Sequence, residues 1–73
     1  MISEKTMKCS LVKDIKIRIN KQEVFLIEKG KIYFCLKDLS EEGRIFWDLF
    51  EVETYDKTLR LKNEEFIEHM EGI

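Results

Sequence analysis

The sequence predicts a mainly β (α+β) fold, a small antiparallel, strongly bent sheet or partly open barrel of five or six short strands with a C-terminal helix. Three observations lead to this prediction. Residues 14–20 alternate strictly between polar and apolar side chains, which is typical of a strand with one wet face. The polar connections are too short for parallel crossovers, which need about a dozen residues or more. Residues 63–70 show the apolar spacing of a short helix.

The length of 73 residues predicts one domain, in which residues 1–7 form a flexible polar tail. Apolar residues make up 44% of the chain and there is no proline, so a disordered or linker protein is excluded. No apolar run approaches the roughly 20 residues that a membrane-spanning helix requires. We therefore expect a cytoplasmic protein without membrane contact.

Two apolar runs in the middle of the chain, residues 24–27 and 32–36, are separated by a polar segment containing Gly30. Glycine adopts positive φ without steric cost, so a reversal at Gly30 predicts a central β-hairpin made of these two runs. The first run is continuous rather than alternating, which is typical of a strand covered on both faces or of one that twists across a barrel core.

The segments before this hairpin also read as strands. A weak alternation around Cys9 and Leu11 predicts a first strand, and the alternation over residues 14–20 predicts a second. Residues 20–22 then form a turn, because asparagine tolerates turn conformations.

Residues 44–53 fit a strand best, since aromatic and branched side chains dominate there. A helix is the alternative, because Ile45, Leu49 and Val52 also fall at helical spacing. Gly43, just before this segment, suits a tight turn.

The last part of the chain predicts a short strand around Leu59 and Leu61 and then the helix. Asn63 is a suitable N-cap, and Gly72 is placed to end the helix. The apolar side chains expected to dock the helix on the sheet are Phe66, Ile67 and Met70.

Residues 29–33 read Lys-Gly-Lys-Ile-Tyr, and residues 61–66 read Leu-Lys-Asn-Glu-Glu-Phe. This pair resembles very small phage and mobile-element proteins, which carry a Lys-Gly-Lys-x-Tyr strand start in mid-chain and end with a polar turn before a Phe-bearing helical turn. The resemblance implies a Src-homology-3-like small β-barrel. It transfers no functional residue, and Glu41-Glu42-Gly43 stands where the group has an Asn/Asp-Gly turn.

Catalytic and metal-binding motifs are missing from the sequence. Cys9 and Cys35 are far from a Cys-x-x-Cys spacing and are expected to be buried, reduced thiols, and the single histidine, His69, is remote from both. We expect no metal and no cofactor. The chain has no Gly-rich phosphate loop and no nucleophile elbow, so we expect no enzyme, although a site built by an oligomer around His69 or Cys35 stays open.

The aromatic cluster of residues 46–50 is the main functional signal. A strand places Trp47 on one face and Phe46 with Phe50 on the other, and a domain of this size rarely buries both faces. Together with Glu51 and Glu53, these rings form a predicted acidic and aromatic interaction surface. The prediction is a non-catalytic protein-interaction module, such as a phage or mobile-element accessory protein that binds a host protein, or a homodimer. A two-sided core beneath the helix is the alternative.

Charge is divided unevenly along the chain. Residues 1–39 carry nine Lys/Arg and five Asp/Glu, a net charge of +4, whereas residues 40–73 carry four and ten, a net charge of −6. The basic half suggests an alternative function, binding of single-stranded nucleic acid. Its surface consists of Lys13, Lys16, Arg18 and Lys21. No aromatic residue interleaves with these four cations, and a pI near 5.4 opposes phosphate binding.

Overall fold

A computed structural model describes residues 6–73. Its elements are β1 Met7–Leu11, β2 Ile15–Arg18, β3 Val24–Ile27, β4 Ile32–Leu39, β5 Ile45–Glu51, β6 Lys57–Lys62, α1 Asn63–His69 and β7 Met70–Gly72. The predicted fold class is confirmed: the chain is mainly β and antiparallel, with one short helix near its end. Of the predicted flexible tail, residues 1–5 lie outside the described residues, and Met7 already belongs to β1.

Five strands form the main sheet in the order β6-β5-β4-β1-β7, and every neighbouring pair is antiparallel. The two edge strands, β6 and β7, do not pair with each other, so the sheet is open rather than closed into a barrel. The short helix α1 joins these two edges and packs against β5, β6 and β7.

The remaining strands, β2 and β3, pair with each other as a separate two-stranded sheet, called the ribbon here. The ribbon is inserted between β1 and β4, and backbone hydrogen bonds hold its base. The N–H of Leu11 donates to the carbonyl of Lys31 at 2.8 Å, and the N–H of Gly30 donates to the carbonyl of Leu11 at 2.7 Å.

The predicted central hairpin is therefore wrong, because residues 24–27 and 32–36 pair with different strands. Gly30 does adopt positive φ, at 97°, but its turn returns the chain to β1 instead of folding β3 onto β4. The hairpin forms at Asn20 instead of at Gly30. The side-chain oxygen of Asn20 accepts hydrogen bonds from the N–H groups of Gln22 and Glu23. This Asx-type turn lets β3 fold back on its nearest neighbour in sequence, β2.

The core lies on one face of the main sheet, between that sheet, α1 and the inner side of the ribbon. Successive side chains of a strand point to opposite faces, so only every second residue reaches the core. On β4, Tyr33 and Cys35 point into the core, while Phe34 and Leu36 point to the opposite face. The fully assembled core consists of Cys9, Leu11, Ile27, Tyr33, Cys35, Leu49, Leu61, Phe66 and Met70. The opposite face of the main sheet is called the outer face below, and no helix or strand within residues 6–73 packs on it.

Residues 44–53 form a strand, as predicted, with bounds Ile45–Glu51. The end of the chain differs from prediction. Asn63 is the first residue of α1 rather than its N-cap, the helix ends at His69, and Gly72 lies in β7 instead of ending a helix. Residues 70–72 leave the helix because the free edge of β1 offers backbone partners, and tertiary pairing overrides local helix preference.

No helix within residues 6–73 has both the length and the apolar character that crossing a bilayer requires.

Candidate interaction surfaces

The outer face combines aromatic rings with charged side chains. Phe34 of β4 lies directly across from Phe50 of β5. Phe46 lies on the same side of β5, two residues before Asp48. Phe50 is only 8% exposed, whereas Phe34 and Phe46 are partly exposed. The outer face therefore shields its own centre with side chains and presents parts of two rings to solvent.

Arg60 of β6 organises the charged part of the outer face. Its guanidinium donates to Asp48 at 3.0 Å and to Asp38 at 2.8 Å, and it lies 4.5 Å from the centroid of the Phe46 ring. Lys57 adds a second cation to Asp48 at 3.3 Å. The hydrogen bond that Arg60 donates to Asp38 is the main cause that raises the pKa of Arg60. The ion pairs thus link β4, β5 and β6 across the outer face and leave no carboxylate of this group unpaired.

The turn between β5 and β6 extends the aromatic part of the same face. Tyr55 has a φ of 62°, a left-handed conformation that is uncommon for a residue other than glycine. Its ring lies 5.9 Å from that of Phe34, and the side chain is largely exposed. The strained turn therefore holds an exposed ring against the edge of the outer face.

The structure does not bring the predicted acidic and aromatic surface together in one place. Phe46 and Phe50 lie on the outer face, whereas Trp47 points to the core side, as the alternation predicts. The Trp47 ring stacks on Phe66 with centroids 4.0 Å apart, and its Nε1–H donates to Asn63.

The two acidic members of the predicted surface are also separated from Phe46. Glu51 accepts a hydrogen bond from Lys31 at 3.2 Å on the side of the sheet that carries Tyr33. Glu53 is exposed in the turn after β5. What surrounds Phe46 is instead Arg60 and its two carboxylates, so the chemistry of the outer face is mixed in charge rather than acidic.

Three of the four predicted basic residues share the ribbon. Lys16 and Arg18 lie on β2, and Lys21 lies in the turn that follows. Lys13 precedes β2 and is paired with Glu68 of α1 at 3.4 Å. Three of the predicted cations therefore lie together on the ribbon, and the fourth, Lys13, is compensated by a carboxylate of α1.

The most exposed apolar run of the described chain lies on this same ribbon, and sequence reasoning missed it. Val24, Phe25 and Leu26 are 52%, 51% and 44% exposed, so the prediction that this run is covered on both faces is wrong. Only Ile27, next to the base of the ribbon, is buried. The alternation of polar and apolar residues in β2 could have indicated this exposure. Because β2 has one face in solvent, the strand that pairs with β2 in a hairpin also has that face in solvent.

A groove runs beside β3, with a volume of about 450 Å³. One wall is the run from Phe25 to Lys29, and the opposite wall carries Tyr33, Glu51 and Thr58. Lys31 also lines the groove, and the hydrogen bond that it donates to Glu51 is the main cause that raises the pKa of Lys31. The groove thus separates the free edge of β3 from the ends of the main-sheet strands.

The thiols of Cys9 and Cys35 are both fully buried and form no disulfide, as predicted. Burial is the main cause that raises the pKa of each thiol. Protonated, inaccessible thiols are poor nucleophiles and poor metal ligands. Within residues 6–73, no three His, Cys, Asp or Glu side chains are grouped to hold a metal ion.

Comparison of the chain with protein-family models, with curated proteins and with solved structures gave no match. The resemblance to small phage and mobile-element proteins therefore stays a prediction that rests on residues 29–33 and 61–66 alone.

Proposed function

We propose that this protein is a non-catalytic module that binds a protein partner through the outer face. One observation carries the proposal: no described helix or strand packs on this face, although it presents the rings of Phe34, Phe46 and Tyr55. Partly exposed aromatic rings with a charged rim are the usual composition of a protein interface. A cytoplasmic location is part of the proposal, and two free thiols without a disulfide support it.

The mixed charge of the outer face favours a protein over a nucleic acid at this surface. Arg60 is already paired with Asp38 and Asp48, so its charge is compensated before any partner arrives. A protein surface that carries positive and negative side chains can exchange ion pairs with this group. A phosphate backbone would be repelled by the two carboxylates that lie beside the guanidinium of Arg60.

The test compares two alanine variants as bait in affinity capture from a cell lysate. Phe46→Ala removes a ring from the outer face, whereas Ile67→Ala removes an exposed side chain of α1 that no other element covers. We expect one specific protein to be retained by the wild type and by Ile67→Ala and to be lost, about tenfold or more, with Phe46→Ala. Circular dichroism establishes that both variants are folded. Equal retention by all three baits, or no specific protein at all, would refute the proposal.

A further inference from the structure

The free edge of β3 is a second surface, separate from the outer face. β3 pairs only with β2, so its other edge has no strand partner among the described residues. Its side chains at Val24, Phe25 and Leu26 are each close to half exposed. An exposed apolar strand with an unpaired edge is the type of surface to which an extended peptide adds.

The hydrogen-bond register shows which backbone groups are available at this edge. The N–H of Ile19 donates to the carbonyl of Glu23 at 3.0 Å, and hydrogen-bonded pairs in an antiparallel ladder alternate with non-bonded pairs. Counting along the register, Phe25 and Ile27 use their N–H and carbonyl groups toward β2. Val24 and Leu26 therefore direct theirs outward, toward the groove.

The groove beside this edge leaves room for an incoming chain. Its volume of about 450 Å³ lies between β3 and the wall formed by Tyr33, Glu51 and Thr58. A strand that bonds to Val24 and Leu26 would place alternate side chains inward, beside Phe25 and Tyr33. Its other side chains would face outward, in the same plane as the outward side of the ribbon.

Charge on the ribbon indicates the chemistry of those outward side chains. Residues 13–31 carry six Lys/Arg and three Asp/Glu, a net charge of +3. Arg18 lies directly opposite Val24, and Lys16 lies directly opposite Leu26. Neither cation forms an ion pair with any residue in the range 6–73. The outward side of the ribbon thus combines two exposed apolar side chains with two uncompensated cations.

We infer that β3 accepts an extended acidic peptide segment of a partner protein as an added strand. In this segment apolar side chains alternate with Asp or Glu. The backbone groups of Val24 and Leu26 provide the main-chain hydrogen bonds, and Lys16 and Arg18 attract the carboxylates. The inference concerns a different surface from the outer face and does not depend on the function proposed for it.

Two other occupants fit these observations less well. A nucleic acid would satisfy the cations, but the outward carbonyls of Val24 and Leu26 are acceptors that a phosphate backbone cannot pair. A second copy of the chain could pair its own β3, but it would bring two ribbons of net charge +3 side by side. An acidic peptide satisfies both the backbone groups and the charges.

The experiment measures binding of fluorescein-labelled synthetic peptides to the intact chain by fluorescence anisotropy. The first probe alternates Val and Glu over one strand length, the second alternates Val and Lys, and the third is an oligothymidylate. We expect the Val-Glu peptide to bind about tenfold or more tightly than the Val-Lys peptide. We also expect it to bind more tightly than the oligothymidylate, and its affinity to be unchanged by Phe46→Ala, which alters only the outer face.

Three variants assign the binding to this edge. Leu26→Pro removes an outward N–H while leaving the bonds to β2 in place, and about a tenfold loss of affinity is expected. Lys16→Glu should weaken binding several-fold, about threefold to tenfold, and it tests the inference even if Leu26→Pro does not fold. The matched control is Lys37→Glu, which makes the same charge change at an exposed position of β4 and should leave the affinity unchanged.

Four results would overturn the inference. The first is failure of the Val-Glu peptide to bind, or equal binding of both peptides. The second is tighter binding of the oligothymidylate. The third is unchanged peptide affinity in Lys16→Glu. The fourth is a concentration-dependent dimer in sedimentation that Leu26→Pro abolishes, which would identify a second copy as the occupant.

Discussion

At the scale of single residues, Trp47 is held both at its face and at its edge. The indole stacks almost parallel on Phe66, with 8° between the planes, and its Nε1–H donates to the side-chain oxygen of Asn63 at 2.9 Å. Asn63, which sequence reasoning assigned to a helix cap, acts instead as the acceptor for a partly buried donor. Local capping preference is a weak constraint when a neighbouring strand supplies a donor that needs a partner.

We predict that Trp47→Phe and Trp47→Ala have clearly different costs. Phenylalanine keeps an aromatic contact with Phe66 but leaves Asn63 without its donor, for a loss of about 1 kcal/mol in the free energy of unfolding. Alanine also loses the packing, for a loss of about 3–5 kcal/mol. Urea unfolding followed by circular dichroism measures both losses.

The control for this prediction is Asn63→Ala introduced into Trp47→Phe. Since the hydrogen bond is already absent there, the added cost should be close to zero, and smaller than the cost of Asn63→Ala in the wild type. Additive costs would show that the hydrogen bond contributes nothing.

At the scale of elements, the strands β1 to β6 were readable from the sequence, but β7 and the pairing partners of the strands were not. Alternation placed Trp47 on the face opposite Phe46 and Phe50, as the structure has them. The partner of residues 24–27 depended on a competition between two turns, one at Asn20 and one at Gly30. Both turns are present in the structure. The backbone hydrogen bonds between Leu11 and the turn at Gly30 place β4 beside β1, so β3 pairs with β2.

The same limit explains the candidate surfaces. Alternation separates the faces of one strand, so it correctly divided Phe46 from Trp47. It does not show which other strand lies alongside, so neither the contact of Arg60 with Phe46 nor the open edge of β3 could be predicted from it. Those features depend on pairing between residues distant along the chain.

The three glycines of the chain provide a prediction about turns. Gly30 and Gly43 have φ of 97° and 80°, whereas Gly72 lies in β7 without positive φ. An added Cβ meets no atom within 4 Å at any of them, so backbone strain alone separates the three. We expect Gly30→Ala and Gly43→Ala each to cost about 1–2 kcal/mol in stability.

Gly72→Ala is the matched control, and it should be neutral or slightly stabilising, by less than about 1 kcal/mol. Thermal and urea denaturation of the three variants measure the differences. A loss at Gly72 equal to that at Gly30 would mean that β7, rather than turn geometry, limits stability.

At the scale of the whole molecule, the charge division of the sequence has a spatial counterpart. The basic half builds the ribbon, and the acidic half builds α1, β7 and the turns that flank β5. Three of the six ion pairs among residues 6–73 cross between the two halves, namely Lys13 with Glu68, Lys31 with Glu51 and Arg60 with Asp38. The main sheet mixes the two halves, because β5 pairs with β4 and β7 pairs with β1, so the separation of charge is confined to the ribbon, where Lys16 and Arg18 form no ion pair within residues 6–73. We expect these two cations to steer an acidic partner toward the ribbon.

Stability should fall at alkaline pH because three core groups resist ionisation. Burial is the main cause that raises the pKa of Cys9, Cys35 and Tyr33 above their ordinary values. Above a pH of about 8.5, the unfolded chain releases thiol protons that the native state still holds. Because the native state then binds more protons, the free energy of unfolding decreases as the pH rises, and below that pH these groups produce no slope.

Urea unfolding between about pH 7 and pH 10 measures this dependence. The double variant Cys9→Ala with Cys35→Ala should be less stable overall but should show a smaller slope near pH 9, leaving the decrease near pH 10 that Tyr33 causes. An unchanged slope in the double variant would contradict the assignment to the thiols.

The pairing of β7 with β1 joins the last residues of the chain to the first described strand, with Gly72 opposite Cys9. During synthesis, the main sheet cannot be completed until residues 70–72 have left the ribosome exit tunnel, because β7 supplies the strand that pairs with one edge of β1. Until then β1 is paired only with β4, so we expect β1 to be the last strand of the main sheet to gain both of its partners.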